Sequence, residues 1–162
     1  MMNFKNIAIL FLFGALAFSC KQQNQSEQAT QTEAQETTIF AKGEKITNNN
    51  FIGTAWLNSL VEADSINQNA AGSVTFEPGA RTNWHLHPAG QIILALSGEG
   101  YYQEKGSPKK IVHKGDVIKC PPNVPHWHGA SADSEFIQVA ITSRQNGPTE
   151  WMQPVTEEEY TK

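Results

Sequence analysis

Between residues 39 and 162, glycine, proline and asparagine break the chain so often that no stretch sustains a helical period. The segments that survive between the breaks are short and rich in β-formers: 51–57, 73–76, 91–96, 101–103, 117–120 and 136–142. The breaks carry turn chemistry, as in Glu77-Pro78-Gly79, Ser97-Gly98-Glu99-Gly100, Lys105-Gly106-Ser107-Pro108, Lys114-Gly115-Asp116 and Pro121-Pro122-Asn123. Turn signals at spacings of roughly 8 to 15 residues predict an all-β sandwich or barrel. Thr156 followed by Glu159 has the form of a capping box and predicts one short C-terminal helix.

A chain of 162 residues holds one domain with an appendage. Its 39% apolar and 17% charged residues exclude an acidic disordered polymer and a multi-span membrane protein. Twelve Lys and Arg are scattered through a chain of net charge −4, so there is no electrostatic footprint for nucleic acid.

The appendage is N-terminal. Lys5 precedes a twelve-residue apolar run, residues 7–18, which ends at Ser19 and Cys20. Crossing a bilayer takes about 20 apolar residues, so the run reads as a cleaved export signal and not as a span. Leu16-Ala17-Phe18-Ser19-Cys20 resembles the lipobox of bacterial lipoproteins, with Ala17 where that motif usually has Leu. The resemblance implies that Cys20 is acylated and becomes the first residue of the mature chain. Residues 21–38 contain no aromatic, Val, Ile or Leu and cannot bury enough surface to order themselves. They predict a flexible tether with a reach of roughly 23 Å. The expected organisation is a signal over 1–19, a lipidated Cys20 with its tether over 20–38, and a folded domain over 39–162. Removing residues 1–19 takes away Lys5 and leaves eleven cationic and sixteen acidic side chains, net −5. Attachment to the cell envelope would therefore rest on acyl chains and not on charge. The two cysteines, Cys20 and Cys120, stand in unlike surroundings and make a poor disulfide pair; Cys120 reads as a small buried apolar residue.

Four of the five histidines fall in His85-Leu86-His87 and His126-Trp127-His128. Positions i and i+2 of a strand face the same side, so each group presents two imidazoles together. Imidazoles from neighbouring strands suit a divalent transition metal, whereas isolated histidines are more often core or surface residues. Trp127 and Trp84 should point away from the histidines into packing. His113, beside a Lys-Gly turn, reads as exposed.

Gly79, His85, His87, Gln91 and Gly98 stand in the register G-x5-H-x-H-x3-[E/Q]-x6-G, and Gly115, Pro121 and His126 fit G-x5-P-x-G-x2-H-x3-N. These resemble the two motifs of the cupin superfamily, and the likeness extends over nearly all of residues 40–160. Gln91 replaces the usual Glu, Asn123 the second glycine, and Ala130 the Asn; Asn tolerates positive φ, so the turn at 123 can survive. Within the superfamily the chain is similar to the small single-domain group that includes manganese-dependent bacterial (R)-mandelonitrile lyases and the carboxymuconolactone-decarboxylase-associated cupins. The resemblance implies a double-stranded β-helix, or jelly-roll, barrel and a metal held by His85, His87, Gln91 and His126. It puts manganese first, with iron(II) or zinc as alternatives, and implies a homodimer or higher homo-oligomer.

Three imidazoles and a neutral amide leave the +2 charge of such an ion unneutralised and its open positions attractive to anions. His128 shares a strand face with His126 and is the candidate general acid or base; the alternative is a hydrogen-bonding support for the ligands. Gln138 alternates with an aliphatic stripe on its strand and is a candidate pocket residue. The lyases carry His at the matching position, and Gln cannot act as a base. Arg81 suits either an anionic substrate or a structural ion pair. Three functions stay open: a metal-dependent lyase acting on a small hydroxylated or carbonyl compound, a non-catalytic small-ligand binder, and an iron-dependent dioxygenase.

Overall fold

The computed structural model describes residues 38–162. The expected signal, lipidation and tether segments lie outside the described residues, apart from Thr38 at the tether's end. Twelve strands and one helix follow in order: β1 (Glu44–Lys45), β2 (Phe51–Ile52), β3 (Ala55–Val61), β4 (Asn69–Phe76), β5 (Arg81–Thr82), β6 (His85–Leu86), β7 (Gln91–Glu104), β8 (Lys110–His113), β9 (Val117–Cys120), β10 (His126–Ala130), β11 (Phe136–Ser143), β12 (Glu150–Trp151) and α1 (Glu157–Thr161). This is the all-β architecture with a short C-terminal helix that the turn rhythm predicts. Thr156 caps α1, its hydroxyl accepting from the Glu159 amide while the Glu159 carboxylate accepts from the Thr156 amide.

All pairings are antiparallel, and the sheet curls through the order β1-β3-β4-β11-β7-β10-β5-β2. β6 hangs on β10 with β12 beyond it, while β8 and β9 both pair with β7. β3 and β4 run longer than the sequence reading, to Val61 and from Asn69, and two further differences have a local cause. The predicted run 51–57 splits at Gly53, whose φ of +77° turns the chain between β2 and β3. The signal at 97–100 is not a turn: β7 runs through it as one fourteen-residue strand.

That long strand turns the barrel's corner. Its first part pairs with β11 and β9, and its second part with β10 and β8. Opposite β11, Ser97 faces Ile137 and Ala95 faces Gln138, so Leu96 is an extra residue and the strand bulges. Gly98 follows with φ +74°, and a Cβ there would lie 1.7 Å from the Glu135 carbonyl oxygen, so only glycine passes the bend.

Packing separates two cores. The barrel interior holds Val74, Phe76, Ile93, Tyr102, Cys120 and Phe136 among others. The second cluster, Trp84, Trp127, Val155 and Tyr160, seats the C-terminal segment. Arg81 proves structural: its guanidinium reaches the Val155 carbonyl (3.2 Å) and Glu157 (2.5 Å), and lies 4.3 Å from the Tyr160 ring centroid. His113 is exposed, as its turn suggested, and faces Glu99 at 3.7 Å.

Candidate metal centre

Strand pairing brings the two histidine groups together. β6 and β10 run antiparallel with His85 directly opposite His126. All five residues of β10 are buried, so alternation sends His126 and His128 inward and Trp127 into the second core. Gly129, on the Trp127 side, lets β5 approach: a Cβ would sit 2.5 Å from the Arg81 Cα. β6 ends at Leu86, and His87 continues inward from the loop beyond it. There its carbonyl accepts from the amides of Gly90 (3.0 Å) and Asn123 (3.1 Å). Asn123 has φ +61°, so the second motif's turn survives with Asn in the glycine's place and fastens the first motif's loop.

The rings close on one another. His85 lies 4.5 Å from His126, 5.0 Å from His87 and 5.3 Å from His128 between centroids. Ring nitrogens of His85, His126 and His128 all fall within 4.8 Å of one another, which makes this triad a possible metal site. His87 stands 5.5 Å from His126.

Hydrogen bonds fix which nitrogens face inward. His85 Nδ1–H donates to the Asn83 carbonyl and His126 Nδ1–H to the Val124 carbonyl, each at 2.9 Å. A carbonyl only accepts, so in both rings the proton sits on Nδ1 and the Nε2 lone pair is left over. His87 Nδ1 lies 3.1 Å from the Thr149 hydroxyl. The Nε2 atoms of His87 and His126 are buried with no partner. Buried ring nitrogens without a hydrogen-bond partner, on rings 5.5 Å apart and both beside His85, fit a metal ion.

Burial also keeps these rings neutral, as ligation requires. It pulls His85 well below the ordinary imidazole value, with His126 and His128 adding to the effect. His128 is lowered in the same way by burial, with help from His126 and His87. His126 is lowered by burial, and His87 falls to about 3 through burial, then His126, then Arg144.

Gln91, first residue of β7, donates from Nε2 to Thr142 Oγ1 (2.9 Å), while its Oε1 lies 3.8 Å from Cys120 Sγ. Cys120 is buried, and desolvation pushes its thiol up to about 12, so it stays a neutral packing residue. Tyr102 packs its ring 5.6 Å from His126 and donates to Glu104 (3.0 Å).

His85, His87, Gln91 and His128 line a cavity of about 230 Å³. His126 is fully buried and does not reach its surface. Neither does Gln138, expected as a pocket residue. It stands behind His128, its Nε2 3.1 Å from His128 Nδ1 and its Oε1 buried without a partner. The rest of the wall includes Phe51, Leu57, Val74 and Trp151, with Arg144 and Thr149 at one side. Trp151 lies opposite His85 in the β6–β12 pair and packs against its ring, the centroids 4.8 Å apart and the planes tilted by 36°. Arg144 and Thr149 escaped the sequence reading, because one Arg and one Thr in a turn-rich segment carry no pattern.

A small antiparallel barrel that aims paired histidines from two strands into one cavity defines a class, and comparison with known proteins gives it a name. Residues 72–141 match the cupin domain family. The chain is 41% identical over 113 residues to an (R)-mandelonitrile lyase of Granulicella tundricola, covering 69% of this chain and 86% of that one. It is 46% identical to a cupin-like protein of Thermotoga maritima, whose crystal structure superposes with a TM-score of 0.75 over 76% of this chain and 95% of the other. A predicted oxalate decarboxylase of Thermotoga maritima shares the fold at 18% identity and TM-score 0.55, over 67% and 91% of the two chains. The chain belongs to the cupin family.

Proposed function

We propose that the chain is a metal-dependent cupin enzyme of the cell envelope that breaks or forms a carbon–carbon bond beside a hydroxyl or carbonyl group, as a hydroxynitrile lyase does. The observation that carries this reading is the pair of buried, unpartnered Nε2 atoms on His87 and His126. His85, His87 and His126 would hold the ion through Nε2 and Gln91 through Oε1, with manganese first and iron(II) or zinc as alternatives. A bound divalent metal supplies Lewis acidity toward a substrate oxygen.

The protein's own residues handle the proton. His128 reaches the cavity and takes the hydroxyl proton of a cyanohydrin as the bond to the nitrile carbon breaks, then returns it to the departing cyanide. Gln138 is no base, but with its amide turned so that Oε1 accepts from His128 Nδ1–H, it holds the tautomer whose Nε2 lone pair takes the proton, and it accepts from the same Nδ1–H once the ring is protonated. Trp151 over His85 and Phe51 beside it shield the histidines from bulk water.

Metal content of full-length protein purified without chelator or immobilised nickel is the test, paired with turnover of mandelonitrile. Stoichiometric manganese or iron and turnover that tracks occupancy support the enzyme. No metal overturns it. Gln138, standing where the related lyases have His, favours a second reading in which the same cavity only captures a small ligand. Full metal occupancy with no turnover of cyanohydrins decides for that second reading, and iron-dependent oxygen uptake decides for a dioxygenase. The proposal includes a lipid anchor on Cys20 and a homodimer. Loss of fatty-acid labelling in Cys20→Ser tests the first and sedimentation of the soluble domain the second.

A further inference from the structure

The cavity wall says more about the substrate than the histidines do. Arg144 directly follows β11, where its amide donates to the Gln68 carbonyl (2.7 Å) and its own carbonyl accepts from Gly147 (3.1 Å). This turn holds the guanidinium at the cavity, where Nη1 donates to Thr149 Oγ1 (2.8 Å). Thr149 in turn contacts His87 Nδ1, so Arg144 approaches the histidine cluster from the edge of His87 opposite its inward Nε2.

Among the described residues no carboxylate lies within ion-pair distance of Arg144. Glu62 is the single acidic residue of the cavity wall, and the Ser59 hydroxyl engages it. One of five guanidinium N–H donors is used, which leaves a planar fork of the kind that takes a carboxylate through two hydrogen bonds. Arg144 is exposed at the rim of the cavity, so an anion reaches its guanidinium from water without displacing an ion pair. The neighbouring wall is apolar, with the tilted rings of Trp151 and Phe51 at 5.7 Å and the small Ala70, Ala71 and Ala140 also on it.

We propose that Arg144 is the anion-recognising residue of this cavity and that the substrate is a small carbonyl or hydroxyl compound with a carboxylate a few bonds from its reacting oxygen and an apolar or aromatic group against Trp151. The proposal rests on the metal reading above and narrows it. Thr149 and the His87 ring stand between the guanidinium and the inward Nε2, so a carboxylate held by Arg144 is set several bonds away from an oxygen held at the histidines.

The probes are 4-oxo-4-phenylbutanoate and its neutral methyl ester, titrated calorimetrically into metal-loaded full-length protein, wild type, Arg144→Gln and Arg144→Lys, with metal content measured on every sample. The acid is expected to bind wild type at least about tenfold tighter than the ester. In Arg144→Gln the two compounds become equal, with ester affinity and metal content unchanged, and Arg144→Lys keeps part of the preference. Equal binding to wild type, a preference that survives in Arg144→Gln, or no binding of either compound overturns the proposal. A variant that loses its metal also overturns it, since Arg144 would then be a support for His87. Wild type without metal is the separate failure of the metal reading, seen in the metal analysis whatever the titrations give.

Discussion

His126-Trp127-His128 lies inside a five-residue strand whose members are all buried, whereas His85-Leu86-His87 runs off the end of a two-residue strand into a loop. The same three-letter pattern is thus built in two ways. In the second group the sheet supplies the aim, since alternation turns both imidazoles inward and drives Trp127 into the opposite core. In the first group the sheet aims only His85. His87 is aimed by its neighbours: backbone bonds from Gly90 and Asn123, and the Thr149 hydroxyl at the cavity edge. One half of the centre is therefore as rigid as the barrel, and the other is as rigid as a loop.

The largest effect expected from this difference concerns the metal. His126→Ala removes a fully buried nitrogen donor from the rigid half and should abolish stoichiometric metal, while His87→Ala should weaken binding and leave a measurable fraction. Metal analysis of the two variants checks this, and equal retention in both would break the comparison.

Next in size is stability. Trp127 is wholly buried beside Trp84, Val155 and Tyr160, and its Nε1 donates to Gln103 Oε1 (2.8 Å). Trp127→Ala should cost about 3–5 kcal/mol by denaturant unfolding. Leu86→Ala, at the half-buried middle position of the other group, should cost under about 2 kcal/mol. Similar losses at the two positions would mean that the loop is as tightly packed as the strand.

How far this contrast was legible in the sequence follows from its causes. Strand alternation is a local rule, so the inward histidines and outward Trp127 of β10 could be read from spacing, as could the Thr156–Glu159 cap. The corner in β7 could not. Ser97-Gly98-Glu99-Gly100 has turn composition, and only pairing with both β11 and β10 holds it extended. Gln138 was picked out by alternation, yet its place behind His128 comes from β11 and β10 both pairing with β7, which no single strand shows. The contact of Trp151 with the His85 ring comes from long-range pairing of β12 with β6, and the place of Arg144 from its turn against Gln68, neither of which a short window contains.

Acid sensitivity comes third. Burial lowers the affinity of His85, His87, His126 and His128 for protons, so below the ordinary histidine pKa of about 6.5 the unfolded chain binds protons that the folded one refuses. The stability these neutral rings contribute is complete above that pH. It is lost progressively as pH falls from that value toward the folded ones, which for His87 is about 3. Each ring adds a slope of up to about 1.4 kcal/mol per pH unit within its window. Urea midpoints of metal-free protein should therefore drop steadily between pH 7 and pH 5, while a flat profile would mean that the rings already exchange protons with solvent.

The smallest expected effect tests the loop half directly. Thr149→Val keeps the shape of the side chain but removes the oxygen that links Arg144 to His87 Nδ1. If His87 is aimed by that contact, its ring loses orientation and proton placement together. Metal affinity should then fall by about tenfold, the low end for loss of a hydrogen bond behind a ligand. Folding should be nearly unaffected, because Thr149 is only half-buried and belongs to no core cluster. The matching change behind His126 is not available to mutation, since its Nδ1 partner is the Val124 backbone carbonyl. That asymmetry sharpens the contrast: the strand half is held by groups that substitution cannot remove, and the loop half by side chains that substitution can tune. Unchanged affinity in Thr149→Val would assign the aim of His87 to the Gly90 and Asn123 backbone bonds alone and would make the two halves equally rigid.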